Sequence, residues 1–156
     1  CLLSRGLGDV YKRQPFRLLL RVRYGECDAQ QVVFNARYGD YVDVAATEFY
    51  RAVFGSYQAL LEQGLDSQVV RMVTDWSAPA RFDDVLQLEV RTLRLGNSSF
   101  TLEVDIRRQA DQAAIARAEV TYVMVDARAF TKVAIPEAIR ALLERGAAGV
   151  TVNQAG

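Results

Sequence analysis

The hydrophobic positions along the chain change their period several times, and each change marks a predicted element. Residues 17–24 alternate apolar and polar side chains, which predicts a strand with one buried face. Between residues 38 and 55 the apolar residues recur at helical spacing, and further apolar residues occupy the other faces. Because only a narrow polar stripe remains, this pattern predicts a long helix buried in the middle of a domain.

Downstream, the pattern returns mainly to period 2. It predicts a short helix at 57–63, then strands at 68–81, 85–95, 99–108 and 113–126. Pro136 suits the first turn of a last helix, for which Gly146 is the stop signal. We therefore predict one α+β domain over residues 15–146, with a five-stranded antiparallel sheet curved around one long central helix, plus a C-terminal helix. Residues 147–156 are predicted to be a flexible tail.

The first fourteen residues do not fit this scheme, since they show neither period 2 nor period 3.6. Residues 9–14 (DVYKRQ) resemble the translation of a transposon-end adaptor used in sequencing libraries. We interpret residues 1–14 as such an artefact or, alternatively, as a disordered natural N-terminus. Either interpretation excludes them from the fold argument.

Composition removes several classes of function. Lys+Arg and Asp+Glu both number 19 among 156 residues, so no basic footprint indicates nucleic acid. No apolar run is long enough to span a membrane. The chain has no histidine, which excludes a Ser-His-Asp triad, a His general base and any His-ligated metal. Its two cysteines make no disulfide framework, and we expect a cytoplasmic protein.

The candidate chemistry lies where the first strand gives way to the helix. Gly25 is followed by two acids, Glu26 and Asp28, and then by a short polar loop. An isolated Asp in a loop is more often a turn or cap residue than a catalyst. By the same general reasoning we expect Glu26 to be solvated and Cys27 to be a small buried filler.

Two segments nevertheless resemble a known family. Residues 24–38 (YGECDAQQVVFNARY) and 77–84 (SAPARFDD), together with the order of elements, resemble the hotdog-fold acyl-CoA thioesterases over about residues 17–145. The similarity is to the 4-hydroxybenzoyl-CoA thioesterase type, which includes the Tol-Pal-associated thioesterases. The resemblance implies a hotdog fold and hydrolysis of an acyl-CoA thioester to a free carboxylic acid and CoA. Many relatives carry Gly where this chain has Gln31, and some carry His or Tyr where it has Asn35.

The resemblance also implies which residues act. Asp28 would be the nucleophile or general base, and the backbone amide of Asn35, next to Phe34, would be the oxyanion donor. Glu48 would either face the acyl pocket or be a paired polar group. The positions implied for substrate binding are Tyr24, Val33, Tyr38, Glu48, Arg81, Arg94, Asn97, Ser98 and Ser99, of which the last five would surround the coenzyme A phosphates.

The family further implies a homodimer or homotetramer with the site at the subunit interface. No metal or bound cofactor is expected, because coenzyme A is part of the substrate. Other functions stay open at this point. A hotdog dehydratase or hydratase ranks low because those enzymes use a histidine. A non-catalytic acyl-binding or scaffold module of a membrane-associated complex, and a bare structural domain, are the remaining alternatives.

Overall fold

The computed structural model describes residues 13–156, so most of the segment interpreted as foreign lies outside the described residues. Within this range six strands and three α-helices follow one another, with a 3₁₀ turn at Tyr24–Glu26 after the first strand. The strands are β1 (Phe16–Arg21), β2 (Leu65–Trp76), β3 (Val85–Leu95), β4 (Ser99–Arg108), β5 (Ala114–Asp126) and β6 (Thr151–Asn153). The helices are α1 (Arg37–Phe54), α2 (Gln58–Glu62) and α3 (Glu137–Arg145).

All six strands form one sheet, in the order β2-β5-β4-β3-β1-β6. Every pairing is antiparallel except that between β1 and β6. The inner face of the sheet packs against α1, whose Val42, Ala45 and Phe49 are almost completely buried. Ala116 and Ala118 on β5 are small enough for such a helix to approach closely, and both are buried. The predicted α+β architecture, one sheet curved around one long helix, is confirmed.

The outer face of the sheet is covered by charges rather than by a second layer. Ion pairs link neighbouring strands, such as Arg17 of β1 with Glu89 of β3 and Arg117 of β5 with Glu103 of β4. Arg91 reaches the same Glu89 from within β3. Opposite charges on adjacent strands are the usual way for a sheet to present a face to water.

The sheet has one strand more than predicted, because residues 151–153 form β6. This strand lies in the segment that was predicted to be a flexible tail. The Arg17 amide donates to Val150 O at 2.9 Å, and the Gln154 amide donates to Leu19 O at 2.8 Å, which fixes the tail along β1. Val152 is half-buried against the hydrophobic core. A three-residue strand with a single apolar side chain is too short to produce a detectable period, so the pattern could not reveal it.

The docking of β6 can be tested with two substitutions at adjacent positions. Val152→Asp would place a carboxylate against the core, and we expect the free energy of unfolding to fall by about 1–3 kcal/mol. Thr151→Asp, at an exposed position, should change it by less than about 0.5 kcal/mol. Urea unfolding followed by circular dichroism measures both. Equal effects of the two variants would contradict the docked strand.

Candidate active site

The loop between β1 and α1 is held by backbone hydrogen bonds within the loop and by one to the segment that contains Ala80. The Asp28 amide donates to Val32 O and the Gln31 amide donates to Asp28 O, each at 2.9 Å. Cys27 and Val33 form an isolated antiparallel bridge, and the Val33 amide donates to Ala80 O at 2.8 Å. The two segments that carry the family resemblance, 24–38 and 77–84, therefore lie side by side.

Asp28 is half-buried at the edge of a cleft of about 380 Å³. One carboxylate oxygen, Oδ1, accepts a hydrogen bond from the Gln30 amide at 2.8 Å, as in an Asx turn. Within residues 13–156 no donor reaches Oδ2. The turn therefore orients the carboxylate while leaving one of its oxygens available to the cleft. The lining of the cleft consists of Tyr24, Cys27, Asp28, Gln31, Arg81 and Phe82.

The residues that precede α1 offer a backbone donor. The Phe34 amide donates to Glu26 O at 3.0 Å, and the Ala36 amide donates to the Asn35 side-chain oxygen at 3.0 Å. The Asn35 amide, by contrast, has no acceptor in the part of the chain that the structure describes. It lies just before the first turn of α1, where the helix dipole favours negative charge. The N-cap position itself is occupied by Ala36.

Glu26 is not solvated as expected, because it is only 7% exposed. Its carboxylate accepts hydrogen bonds from the Arg23 side chain at 2.7 Å, from the Arg23 amide at 3.1 Å and from the Tyr41 hydroxyl. Burial alone would raise the pKa of Glu26, but the hydrogen bonds from Tyr41 and Arg23 together lower it below its ordinary value. Burial and the bond to Glu26 raise the pKa of Tyr41. The lowered pKa of Glu26 favours its ionised carboxylate, and the raised pKa of Tyr41 favours its neutral phenol. Glu26 is therefore ionised and Tyr41 neutral at pH 7.

The other substrate-binding candidates near the loop fall into two groups. Tyr24 and Arg81 line the Asp28 cleft, whereas Val33 and Tyr38 are buried beneath the loop. Burial raises the pKa of Tyr38, although a hydrogen bond with the Ala80 backbone opposes the shift. Val33 and Tyr38 therefore support the loop from the core side.

Glu48 lies elsewhere on α1, where it pairs with Arg51 and accepts a hydrogen bond from Gln154 Nε2 at 3.1 Å. It is not among the residues that line the Asp28 cleft. Of the two interpretations left open for this side chain, the described contacts fit the paired polar group.

The remaining candidates lie at the opposite end of the sheet. The loop and segment 77–84 adjoin Val85 at the start of β3, while Arg94 lies near its end. At about 3.3 Å per residue, the strand separates the two ends by about 30 Å. The β3–β4 turn with Asn97, Ser98 and Ser99 is at that far end. One chain does not bring these residues to its own Asp28.

Phe82 also lines the cleft, although the sequence did not predict it as a site residue. Its side chain is 56% exposed and lies edge-to-face with Tyr24, with the ring centroids 5.9 Å apart. The signal was an aromatic residue in the second resembling segment, directly after Arg81. Large exposed aromatic side chains that meet beside a polar cleft are typical of ligand contact.

Two classes of feature are lacking among residues 13–156. No group of three or more His, Cys, Asp and Glu side chains is arranged to hold a metal ion. No helix in this range combines the length and apolar character needed to cross a bilayer.

Comparison with known proteins gives the family. A model of the thioesterase-like superfamily matches residues 22–143. The chain belongs to this superfamily. It is 32% identical over 124 residues to the acyl-CoA thioester hydrolase YbgC of Escherichia coli, a match that covers 80% of this chain and 92% of the relative. It is 29% identical to the acyl-CoA thioesterase YbgC of Haemophilus influenzae, covering 81% of this chain and 92% of that one.

Solved structures agree with this assignment. The hypothetical protein AQ1494 of Aquifex aeolicus is 26% identical and superposes with a TM-score of 0.76, over 83% of this chain and 99% of that chain. The predicted resemblance to the hotdog thioesterases is thus confirmed, and the chain is a thioester hydrolase. The comparisons leave the roles of the individual site residues as predictions.

Gln31 has a left-handed backbone, with φ of 62°, at the position where the family resemblance implies a glycine in many relatives. A side chain is strained there, whereas glycine is not. We expect Gln31→Gly to leave the free energy of unfolding unchanged or to raise it by up to about 1 kcal/mol. Gln30→Gly, the same change one residue earlier, should lower it by about 0.5–1 kcal/mol. Urea unfolding measures the free energy of unfolding of both variants. An equal loss of this free energy in the two would show that the backbone at Gln31 is not strained.

Proposed function

We propose that this thioester hydrolase cleaves acyl-CoA, with Asp28 as the nucleophile or general base and the Asn35 amide as the oxyanion donor. The observation that carries the proposal is the half-buried Asp28 carboxylate, which lines a cleft in the loop before α1 and has one oxygen without a donor among residues 13–156. The names of the YbgC relatives support acyl-CoA as the substrate class. The absence of histidine leaves a carboxylate as the best-placed group for this chemistry.

The chemistry suits a carboxylate because a thioester is already a reactive acyl donor. In one route, Asp28 attacks the carbonyl carbon, the C–S bond breaks, and water then hydrolyses the resulting anhydride. In the other, Asp28 takes a proton from a water molecule while that water attacks the carbonyl carbon. Either way coenzyme A leaves as a thiolate that takes up a proton. Neither route requires a metal or a bound cofactor.

Both routes place negative charge on the former carbonyl oxygen. The Asn35 amide is suited to stabilise that charge, since it has no competing acceptor within residues 13–156 and lies at the positive end of the helix dipole. A single backbone donor of this kind contributes about 3 kcal/mol to transition-state stabilisation. The Asn35 side chain is engaged by the Ala36 amide, so the backbone rather than the side chain would act.

The proposal includes a dimer formed through β2. This strand is an edge of the sheet and is twelve residues long, and most of its side chains are exposed. Met72 is 40% and Trp76 is 51% exposed there, and Val70 at a bulge is 60% exposed. A long edge strand with exposed apolar side chains is a template for pairing with another chain. A second copy would cover this surface and could bring its own Arg94 and Asn97–Ser99 end towards the Asp28 cleft.

The role of Asp28 is tested by thiol release from a panel of aliphatic and aromatic acyl-CoAs. We expect Asp28→Asn to lower kcat by about 10²–10⁴-fold, because the amide can neither attack nor take up a proton. Asp40→Asn, which changes an exposed acid in the first turn of α1, serves as the matched control and should retain activity. Equal rates in wild type and Asp28→Asn would overturn the assignment. Tight acyl-CoA binding without turnover in the wild type would favour the non-catalytic acyl-binding module.

The dimer is tested by light scattering coupled to size-exclusion chromatography. We expect twice the chain mass for the wild type. In Met72→Lys, a desolvated charge at the centre of the interface should shift the mass to that of a monomer and abolish activity. Glu119→Lys, on the charged outer face of neighbouring β5, is the control that should remain dimeric. A monomeric variant that keeps full activity would show that the site needs no second subunit.

A further inference from the structure

The loop that carries Asp28 contains a second carboxylate whose role the proposed chemistry leaves open. Glu26 lies two residues before Asp28, is almost fully buried, and forms three hydrogen bonds. Two of them come from Arg23 at the start of the 3₁₀ turn, and the third comes from Tyr41 on α1. Its carboxylate therefore joins the loop to the central helix.

The backbone of the same residue makes a second connection. Glu26 O accepts the Phe34 amide at 3.0 Å, directly before Asn35. Glu26 is thus connected to Asp28 along the backbone, two residues away. Its carbonyl connects it by a hydrogen bond to the segment that contains Asn35. Its side chain then fixes this unit against Tyr41, one turn into α1.

Stability alone is a poor explanation for this arrangement. Taking a carboxylate out of water is costly, and well-packed apolar replacements of buried ionic groups are often neutral or stabilising. Arg23, the cation of the pair, is 83% exposed, so its attraction to Glu26 is screened by solvent. What the buried carboxylate does supply is a directional contact with a single Tyr hydroxyl.

We propose that Glu26 is a positioning residue, whose buried carboxylate holds the Asp28 loop in register with the start of α1. The inference rests on the proposed function, since it concerns the placement of Asp28 relative to the Asn35 amide. A displacement of about 1 Å between reacting groups lowers the rate by about 10²-fold. Loss of the contact therefore acts on kcat rather than on substrate binding.

The experiment uses full-length Glu26→Gln, Tyr41→Phe and the double variant, with steady-state kinetics on the best acyl-CoA of the panel. We expect each single variant to lower kcat by about 10- to 100-fold, with KM within about threefold of the wild type. Because both changes break the same contact, the double variant should be no more than about threefold slower than the slower single variant.

Glu103→Gln is the matched control. Glu103 is likewise buried, at 4% exposure, and pairs with Arg117 on the outer face of the sheet. The variant Glu103→Gln should lose thermal stability as Glu26→Gln does, but it should keep the kcat of the wild type. Wild-type kcat in folded Glu26→Gln would overturn the proposal, as would a kcat loss no larger than that of Glu103→Gln at equal stability. If Glu26→Gln does not fold, Tyr41→Phe decides, and wild-type kcat in that variant overturns the proposal.

The outcome for Asp28→Asn separates this inference from the proposed function. An active Asp28→Asn would overturn the proposed function itself. An inactive Asp28→Asn with unaffected Glu26→Gln and Tyr41→Phe would overturn only the positioning role.

Discussion

The packing of α1 against the inner face of the sheet fixes where every other feature lies. Val42, Ala45 and Phe49 are each almost fully buried, so the helix cannot slide or rotate without exposing apolar surface at roughly 25 cal/mol per Å². A fixed helix has a fixed N-terminus. The Asn35 amide, which has no acceptor among residues 13–156, and the helix dipole therefore lie at a defined place at the end of the loop. The candidate chemistry depends on that place more than on any side chain of the helix.

The loop meets this helix end as a closed structure. Its backbone bonds run to Ala80 and within the loop itself, and its buried carboxylate bonds Tyr41. Among the described residues, the Asp28 oxygen Oδ2 and the Arg81 guanidinium are the charged groups of the cleft that have no side-chain partner. This is how a residue with the local geometry of an ordinary Asx turn can still be the reacting group.

The fold followed from the sequence because long elements carry long periodic patterns, and α1 and β3 to β5 each span nine or more residues. The features that escaped prediction depend on contacts distant in sequence. Local rules predict that Glu26 is solvated. Its carboxylate is instead buried, because Tyr41 and Arg23 donate hydrogen bonds to its oxygens. Residues 151–153 form β6 by pairing with the free edge of β1, a contact between segments more than 130 residues apart. Likewise, nothing in the spacing of residues 94–99 shows that β3, about 30 Å long, places them at the opposite end of the strand from the segment beside the Asp28 loop.

The edge strand and the Asp28 loop are linked by side-chain contacts. The exposed ring of Trp76 at the end of β2 lies edge-on to Tyr38, with centroids 6.0 Å apart, and Tyr38 lies edge-on to Tyr41 at 5.7 Å. Tyr41 in turn bonds Glu26. A second copy that covers Trp76 would therefore restrict the same rings that orient the loop, because packed aromatic rings can move only together. On this argument pairing at β2 would complete the wall of the cleft and also hold the Asp28 loop in place, so that assembly and catalysis would share one set of contacts.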